Sequence, residues 1–109
     1  MSETQLQKAI LQLLHIKYSH KAVFFRNNTG AVKSGKSYIK YGLGVGSADI
    51  IGCLGGRFIA LEVKLPKGRQ SPDQMKWQGA IEHCGGFYAI VRSPEEAMRV
   101  IEEMIDEDK

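Results

Sequence analysis

Two acidic residues of this chain fall in largely apolar segments that a two-residue turn would bring together. Asp49 belongs to the segment 48–54 and Glu62 to the segment 57–64, and the glycine pair 55–56 separates the segments. If the glycines form a tight turn, the segments pair as antiparallel strands and Asp49 lies opposite Glu62. Directly opposed residues have Cβ atoms about 4.5–5.5 Å apart, a separation at which like charges repel. This pairing therefore requires something that stabilises two neighbouring carboxylates.

A divalent cation is the simplest such partner, because oxygen ligands on a rigid scaffold suit Mg²⁺ or Mn²⁺. Strand side chains alternate between faces, so Lys64 shares the face of Glu62 and would lie beside the metal. The alternative is an ion pair in which Lys64 neutralises Glu62 and Asp49 only ends a strand. Residues 1–92 hold only five acids, and this scarcity together with the matched position favours the metal. If the register is wrong, a structural protein with a buried ion pair remains.

Local signals predict an α/β fold in which helices flank a mixed β-sheet. Residues 3–18 carry an apolar stripe after a capping box formed by Ser2 and Gln5, and Ser-Pro pairs at 71–72 and 93–94 start two further helices. Segment 27–46 is interpreted as a long loop or an irregular hairpin. The remaining apolar runs predict strands at 22–26, 48–54, 57–64 and 87–91. The predicted order is α-β-β-β-α-β-α, with the sheet covered on both faces.

The net charge of +3 conceals an uneven distribution. Residues 93–109 carry seven acids and two bases, a net charge of −5, whereas residues 1–92 carry thirteen bases and five acids, a net charge of +8. A basic body favours a polyanionic partner, nucleic acid first, although it also serves solubility. The apolar runs are too short for a membrane span, and the two cysteines form neither a disulfide framework nor a zinc motif. We therefore expect a cytoplasmic protein.

The segments GSADIIG (46–52) and ALEVK (60–64) resemble the D…(D/E)-x-K signature of the PD-(D/E)XK nuclease superfamily. Together with RNNTG (26–30), GRQSPDQ (68–74) and the glycine pair 85–86, they make the chain similar to the small stand-alone VRR-NUC (virus-type replication-repair nuclease) domains of phages and bacteria. The resemblance implies a single VRR-NUC-type domain over residues 1–109 with a restriction-endonuclease-like core. It also implies a bacterial or phage-encoded protein.

The resemblance implies metal-dependent hydrolysis of DNA phosphodiester bonds that leaves 5′-phosphate and 3′-hydroxyl ends. Asp49 and Glu62 would hold one or two Mg²⁺ or Mn²⁺ ions together with the backbone carbonyl of Val63. Lys64 would orient the attacking water or neutralise the developing charge. Ala48 stands where the name-giving pattern has proline, but this position is not a ligand.

Two polar residues have both a structural and a functional interpretation. Glu3 could join the metal ligands, as a glutamate of the first helix does in related nucleases, or it could be an acid favoured by the helix dipole. Gln74 completes a capping box with Ser71, and related nucleases place a glutamine near the metal or the scissile phosphate. We expect Gln74 to serve the site, since one rotamer would fill both roles only with difficulty.

Basic, amide and aromatic residues are concentrated in two segments that suit contacts with the DNA backbone. Each of them alone could equally be a solvated surface group. The predicted DNA-binding residues are Arg26, Asn27, Asn28, Lys33, Lys36, Tyr38, Lys40, Lys67 and Arg69.

The predicted function is that of a structure-specific DNA endonuclease, similar to Holliday-junction resolvases that act as homodimers on four-way junctions. Two active sites related by a two-fold axis would match the symmetry of such a junction. No small-molecule substrate and no membrane is expected. One alternative is a less selective nickase or flap nuclease. Another is a non-catalytic DNA-binding module, against which the intact set of Asp49, Glu62 and Lys64 argues.

Overall fold

The computed structural model describes residues 1–108, and for Tyr41 it describes only the backbone. Three helices and a mixed sheet are present, which confirms the mixed α/β class. The elements are α1 (Glu3–Tyr18), β1 (Ala22–Arg26), β2 (Gly30–Ser34), β3 (Ser37–Tyr41), β4 (Ile50–Leu54), β5 (Arg57–Val63), α2 (Pro72–His83), β6 (Phe87–Val91) and α3 (Pro94–Glu107). The predicted order omits β2 and β3. Segment 27–46 forms this regular hairpin rather than a long loop or an irregular hairpin.

The main sheet has the strand order β1-β4-β5-β6. Its first two pairings are antiparallel, whereas β5 and β6 are parallel and are joined by α2. Helices α1 and α3 pack on one face, where Ile59, Leu61 and Val63 of β5 are fully buried. Helix α2 covers part of the opposite face, where Ala60 contacts Tyr88.

The expectation that both faces are covered is wrong for the edge strand β1. Its side chains Val23 and Phe25 are 64% and 51% exposed, and they lie on the face that carries α2. Helix α2 packs beside β6, at the far side of the sheet, and therefore leaves β1 open. A single helix on that face is too narrow to cover four strands.

The register of β4 and β5 follows the prediction. Leu54 pairs with Arg57 and Ile50 pairs with Leu61, with Gly55 and Gly56 as the two turn residues. Both glycines have positive φ angles, 61° and 81°, which a tight hairpin turn requires. The paired region ends at Ile50, so Asp49 lies one residue before β4.

The helices begin at the predicted caps. In α1 the Ser2 hydroxyl accepts a hydrogen bond from the N–H of Gln5, and the side chain of Gln5 accepts from the N–H of Ser2. The same reciprocal pair joins Ser71 and Gln74 at the start of α2. Within residues 1–108, no helix is both long and apolar enough to cross a membrane.

Candidate metal centre

The structure brings Asp49 and Glu62 together at the end of β5. The Oδ2 atom of Asp49 accepts a hydrogen bond from the N–H of Val63 at 2.8 Å, which holds the Asp49 side chain against β5. The Glu62 side chain is 1% exposed. Burial and, next, the negative charge of Asp49 raise the pKa of Glu62 to about 8, against a smaller lowering by Lys64. A cation bound here would relieve the repulsion and favour the charged form of Glu62.

The two oxygens of the Glu62 carboxylate have different surroundings. Oε1 accepts a hydrogen bond from Nε2 of Gln74 at 2.8 Å and lies 3.8 Å from Nζ of Lys64. Oε2 is buried, and when Glu62 is ionised no donor within the described residues reaches it, whereas a protonated Glu62 can hydrogen-bond to Asp49. A buried polar atom without a partner is costly, and such atoms are rare in folded proteins. The ionised Glu62 therefore has one oxygen that a cation shared with Asp49 would satisfy.

The donors at this position fit a hard cation. Asp49 and Glu62 supply carboxylate oxygens, which Mg²⁺ and Mn²⁺ prefer over softer ligands. Within residues 1–108, no group of three or more histidine, cysteine, aspartate or glutamate side chains is close enough to hold a metal. The remaining ligands of an octahedral ion would be backbone carbonyls, water and substrate oxygens. The role of the Val63 backbone carbonyl as a metal ligand remains a prediction.

Gln74 fills both of its proposed roles with one conformation, which corrects the expectation that they conflict. Its Oε1 accepts the N–H of Ser71 at 2.8 Å, while its Nε2 donates to Glu62. A primary amide has separate acceptor and donor atoms, so the two contacts do not compete. The helix cap thereby fixes the position of the amide that holds Glu62.

Glu3 lies near the site, but within the described residues it forms no metal-binding group with Asp49 and Glu62. Its negative charge makes a small contribution that raises the pKa of Glu62. One turn further along α1, buried Gln7 accepts a hydrogen bond from Nε of Arg26 at 2.9 Å. Arg26, one of the predicted DNA-binding residues, is thus held by α1 at this end of the sheet.

Sequence reasoning missed two residues: Tyr88, which lies beside the centre, and Arg92, which holds the loop after β5. Tyr88 of β6 is buried, and its hydroxyl accepts a hydrogen bond from Nε2 of Gln70 at 3.1 Å. Burial raises the pKa of Tyr88 to about 12, so its hydroxyl remains protonated. Arg92, directly after β6, donates to the carbonyls of Leu65 and Gly68 at 2.7 and 3.0 Å.

Apart from Arg26, which Gln7 holds, the predicted DNA-binding residues lie in three settings. Asn27 is engaged internally, since its Nδ2 donates to Oγ of Ser47 and to the carbonyl of Ala48. The loop that Arg92 holds presents two exposed basic residues, Lys67 and Arg69. The remaining five are exposed on or beside the β2–β3 hairpin: Asn28, Lys33, Lys36, Tyr38 and Lys40.

The chain matches no protein-family model, and no curated protein matches it significantly. Its function is therefore inferred from the residues and the geometry of the centre.

Proposed function

We propose that the protein is a Mg²⁺- or Mn²⁺-dependent DNA endonuclease of the PD-(D/E)XK type, similar to the stand-alone VRR-NUC domains. The observation that carries the proposal is the buried Glu62 carboxylate beside Asp49, with one oxygen held by Gln74 and the other without a partner. When Glu62 is ionised, an ion pair with Lys64 alone leaves that second oxygen without a donor.

Asp49 and Glu62 would hold the ion, together with the Val63 carbonyl. When bound, the ion supplies Lewis-acid chemistry that favours attack of water on a phosphodiester. The Lys64 ammonium, with its side chain 12% exposed, would neutralise negative charge that develops on the phosphate. Gln74 would keep Glu62 in its orientation while the substrate binds.

The fold is compatible with this proposal. When the β2–β3 hairpin is left aside, the elements follow the order α-β-β-β-α-β-α. Asp49 precedes β4 and Glu62 lies near the end of β5, so both carboxylates are at one edge of the sheet, with Asp49 the more exposed of the two. These features support a restriction-endonuclease-like core.

We propose branched DNA as the substrate and a homodimer as the active form. Residues 4–48 contain no acid, so this part of the chain favours a polyanionic partner. The uncovered part of the sheet presents apolar side chains of Val23, Phe25 and Phe58 in the vicinity of Cys53. A patch without charge can pair with its own copy across a two-fold axis.

Cleavage assays on four DNA structures test the proposal. The full chain is incubated with Mg²⁺ or Mn²⁺ and end-labelled four-way junction, flap, single-stranded and linear duplex DNA. Paired symmetric nicks in the junction alone are the expected result. Equal cutting of all four substrates would favour the less selective nuclease, and binding without any cutting would favour the non-catalytic module. Sedimentation measures how many chains bind each junction, and a complex of one chain with one junction would contradict the dimer.

A further inference from the structure

The β2–β3 hairpin has two chemically different faces. The register pairs Lys33 with Tyr38 and Ala31 with Lys40. Directly paired residues lie on the same side of a two-stranded sheet, and alternate residues share that side, so all four belong to one face. The opposite face carries Val32, which pairs with Ile39. We call the side with Lys33, Tyr38 and Lys40 the basic face.

The hairpin is exposed along its length. Every residue from 28 to 40 is exposed, and Tyr38 is 67% exposed. The hairpin forms a sheet of its own, separate from the four-stranded sheet. An isolated two-stranded hairpin is marginally stable in water, so a partner along one face would stabilise it.

The charge of the hairpin identifies the chemistry of that partner. Lys33, Lys36 and Lys40 lie in a segment without any acid. An exposed tyrosine between lysines can pack on a sugar and donate its hydroxyl to a phosphate oxygen, beside two lysine contacts with phosphates. This combination suits a nucleic acid rather than an acidic protein surface.

Hydrogen bonds fix the base of the hairpin beside the candidate metal centre. Asn27 precedes the hairpin, and its N–H donates to the Asp49 carbonyl at 2.8 Å while its side chain binds Ser47 on the returning segment. Gly46 on that segment has a φ angle of 85°, and a Cβ there would collide with the backbone of Asp73 in the first turn of α2. The hairpin therefore starts and ends at the edge that carries Asp49 and Gln74.

The length of the hairpin sets how far it reaches from this edge. Each strand has five residues, which at about 3.3 Å per residue gives roughly 17 Å. Duplex DNA rises about 3.4 Å per base pair, so this reach corresponds to about five base pairs.

We propose that the hairpin is an arm that lies along duplex DNA on one side of the cleaved bond and grips the backbone with its basic face. It follows that full affinity requires about five base pairs of duplex on that side. The position of the cut rests on the proposed nuclease function, whereas the binding of duplex by the basic face does not.

Fluorescence anisotropy with a labelled linear duplex in EDTA tests the binding directly. The double variant Lys33→Ala/Lys40→Ala is expected to raise the Kd about tenfold or more and to reduce the salt dependence of log K by about two. The control Lys8→Ala/Lys21→Ala removes two exposed lysines elsewhere and should change the Kd less than about twofold. Equal effects of the two pairs, or equal binding of single-stranded DNA, would overturn the proposal.

Single substitutions on the two faces give a second comparison. Tyr38→Ala should weaken duplex binding several-fold, whereas Ile39→Ala, on the opposite face, should leave it unchanged. Because both side chains are exposed, thermal unfolding of the main domain should be the same for both variants. A loss of binding that is equal for the two would show that the hairpin does not present one face to DNA.

Substrates with duplex arms of two to ten base pairs test the reach. The advantage of the wild type over Lys33→Ala/Lys40→Ala should decrease for arms shorter than about five base pairs, because Lys33 near the tip of the hairpin loses its phosphate contact first. If the nuclease proposal fails, no substrate is cut but the anisotropy difference persists. If the hairpin proposal fails, cutting persists and the double variant cuts and binds as the wild type does.

Discussion

Removing the charge of Glu62 should stabilise the metal-free protein. Glu62→Gln keeps the shape of the side chain, while it eliminates a buried carboxylate whose pKa burial and Asp49 raise to about 8. The reference pKa is 4.5, and each pKa unit corresponds to about 1.4 kcal/mol, so ionisation of Glu62 opposes folding by at most about 5 kcal/mol. Part of this gain is lost because a neutral amide oxygen accepts the hydrogen bond from Gln74 less strongly than a carboxylate does. We expect a gain of roughly 2–4 kcal/mol at pH 8.5.

The dependence on pH has a defined sign. Because the pKa of Glu62 is raised on folding, the folded state binds more protons than the unfolded state between pH 4.5 and about 8. The stability of the wild type therefore falls as the pH rises through this window, and the share of Glu62 in that fall is absent from Glu62→Gln. The advantage of the variant should be small at pH 4.5 and largest above pH 8.

Urea denaturation in EDTA at pH 4.5, 6.5 and 8.5 measures this difference. Glu82→Gln, which alters an exposed glutamate of α2, is the matched control and should have little effect at any pH. A Glu62→Gln protein that is less stable than the wild type at pH 8.5 would refute the reasoning. So would an advantage that does not change with pH.

Three further predictions concern the metal and the glutamine. Mg²⁺ or Mn²⁺ at about 100 times its Kd should stabilise the wild type by about 2.7 kcal/mol in thermal unfolding and should leave Asp49→Asn unchanged; equal stabilisation of both would place the ion elsewhere. Metal affinity measured by calorimetry should increase as the pH rises towards 8, with release of a proton, because Glu62 must ionise to bind; a flat profile would contradict this linkage. Gln74→Ala should cost about 1 kcal/mol of stability and also reduce cleavage. The control Gln5→Ala alters the equivalent capping residue of α1 and should cost only stability, so equal cleavage by the two variants would show that Gln74 does not serve the site.

The parts of the fold that sequence predicted were those specified by local chemistry. Gly55 and Gly56 define a two-residue turn, which fixes the register and places Asp49 beside Glu62. Serine caps followed three residues later by glutamine define where α1 and α2 begin. These signals act within a few residues, so they can be interpreted without knowing the tertiary structure.

The parts that sequence did not predict depend on pairing between distant segments. Tyr88 reaches the centre, and Arg92 reaches the loop after β5, only because β6 lies parallel to β5 after the crossover through α2, and no local pattern specifies that neighbour. The hairpin of segment 27–46 is exposed on both faces, so it lacks the alternation of a half-buried strand. The dual role of Gln74 required the position of α2 relative to β5.

The central claim is that Asp49 and Glu62 hold a divalent ion that supports cleavage of DNA. Incubation of an end-labelled four-way junction with Mn²⁺ and either the wild type or Asp49→Asn, with folding of both verified by thermal unfolding, tests it most directly. We expect products with 5′-phosphate ends for the wild type, and no cleavage products for Asp49→Asn or for the wild type in EDTA. Cleavage that persists in Asp49→Asn or in EDTA would contradict the account.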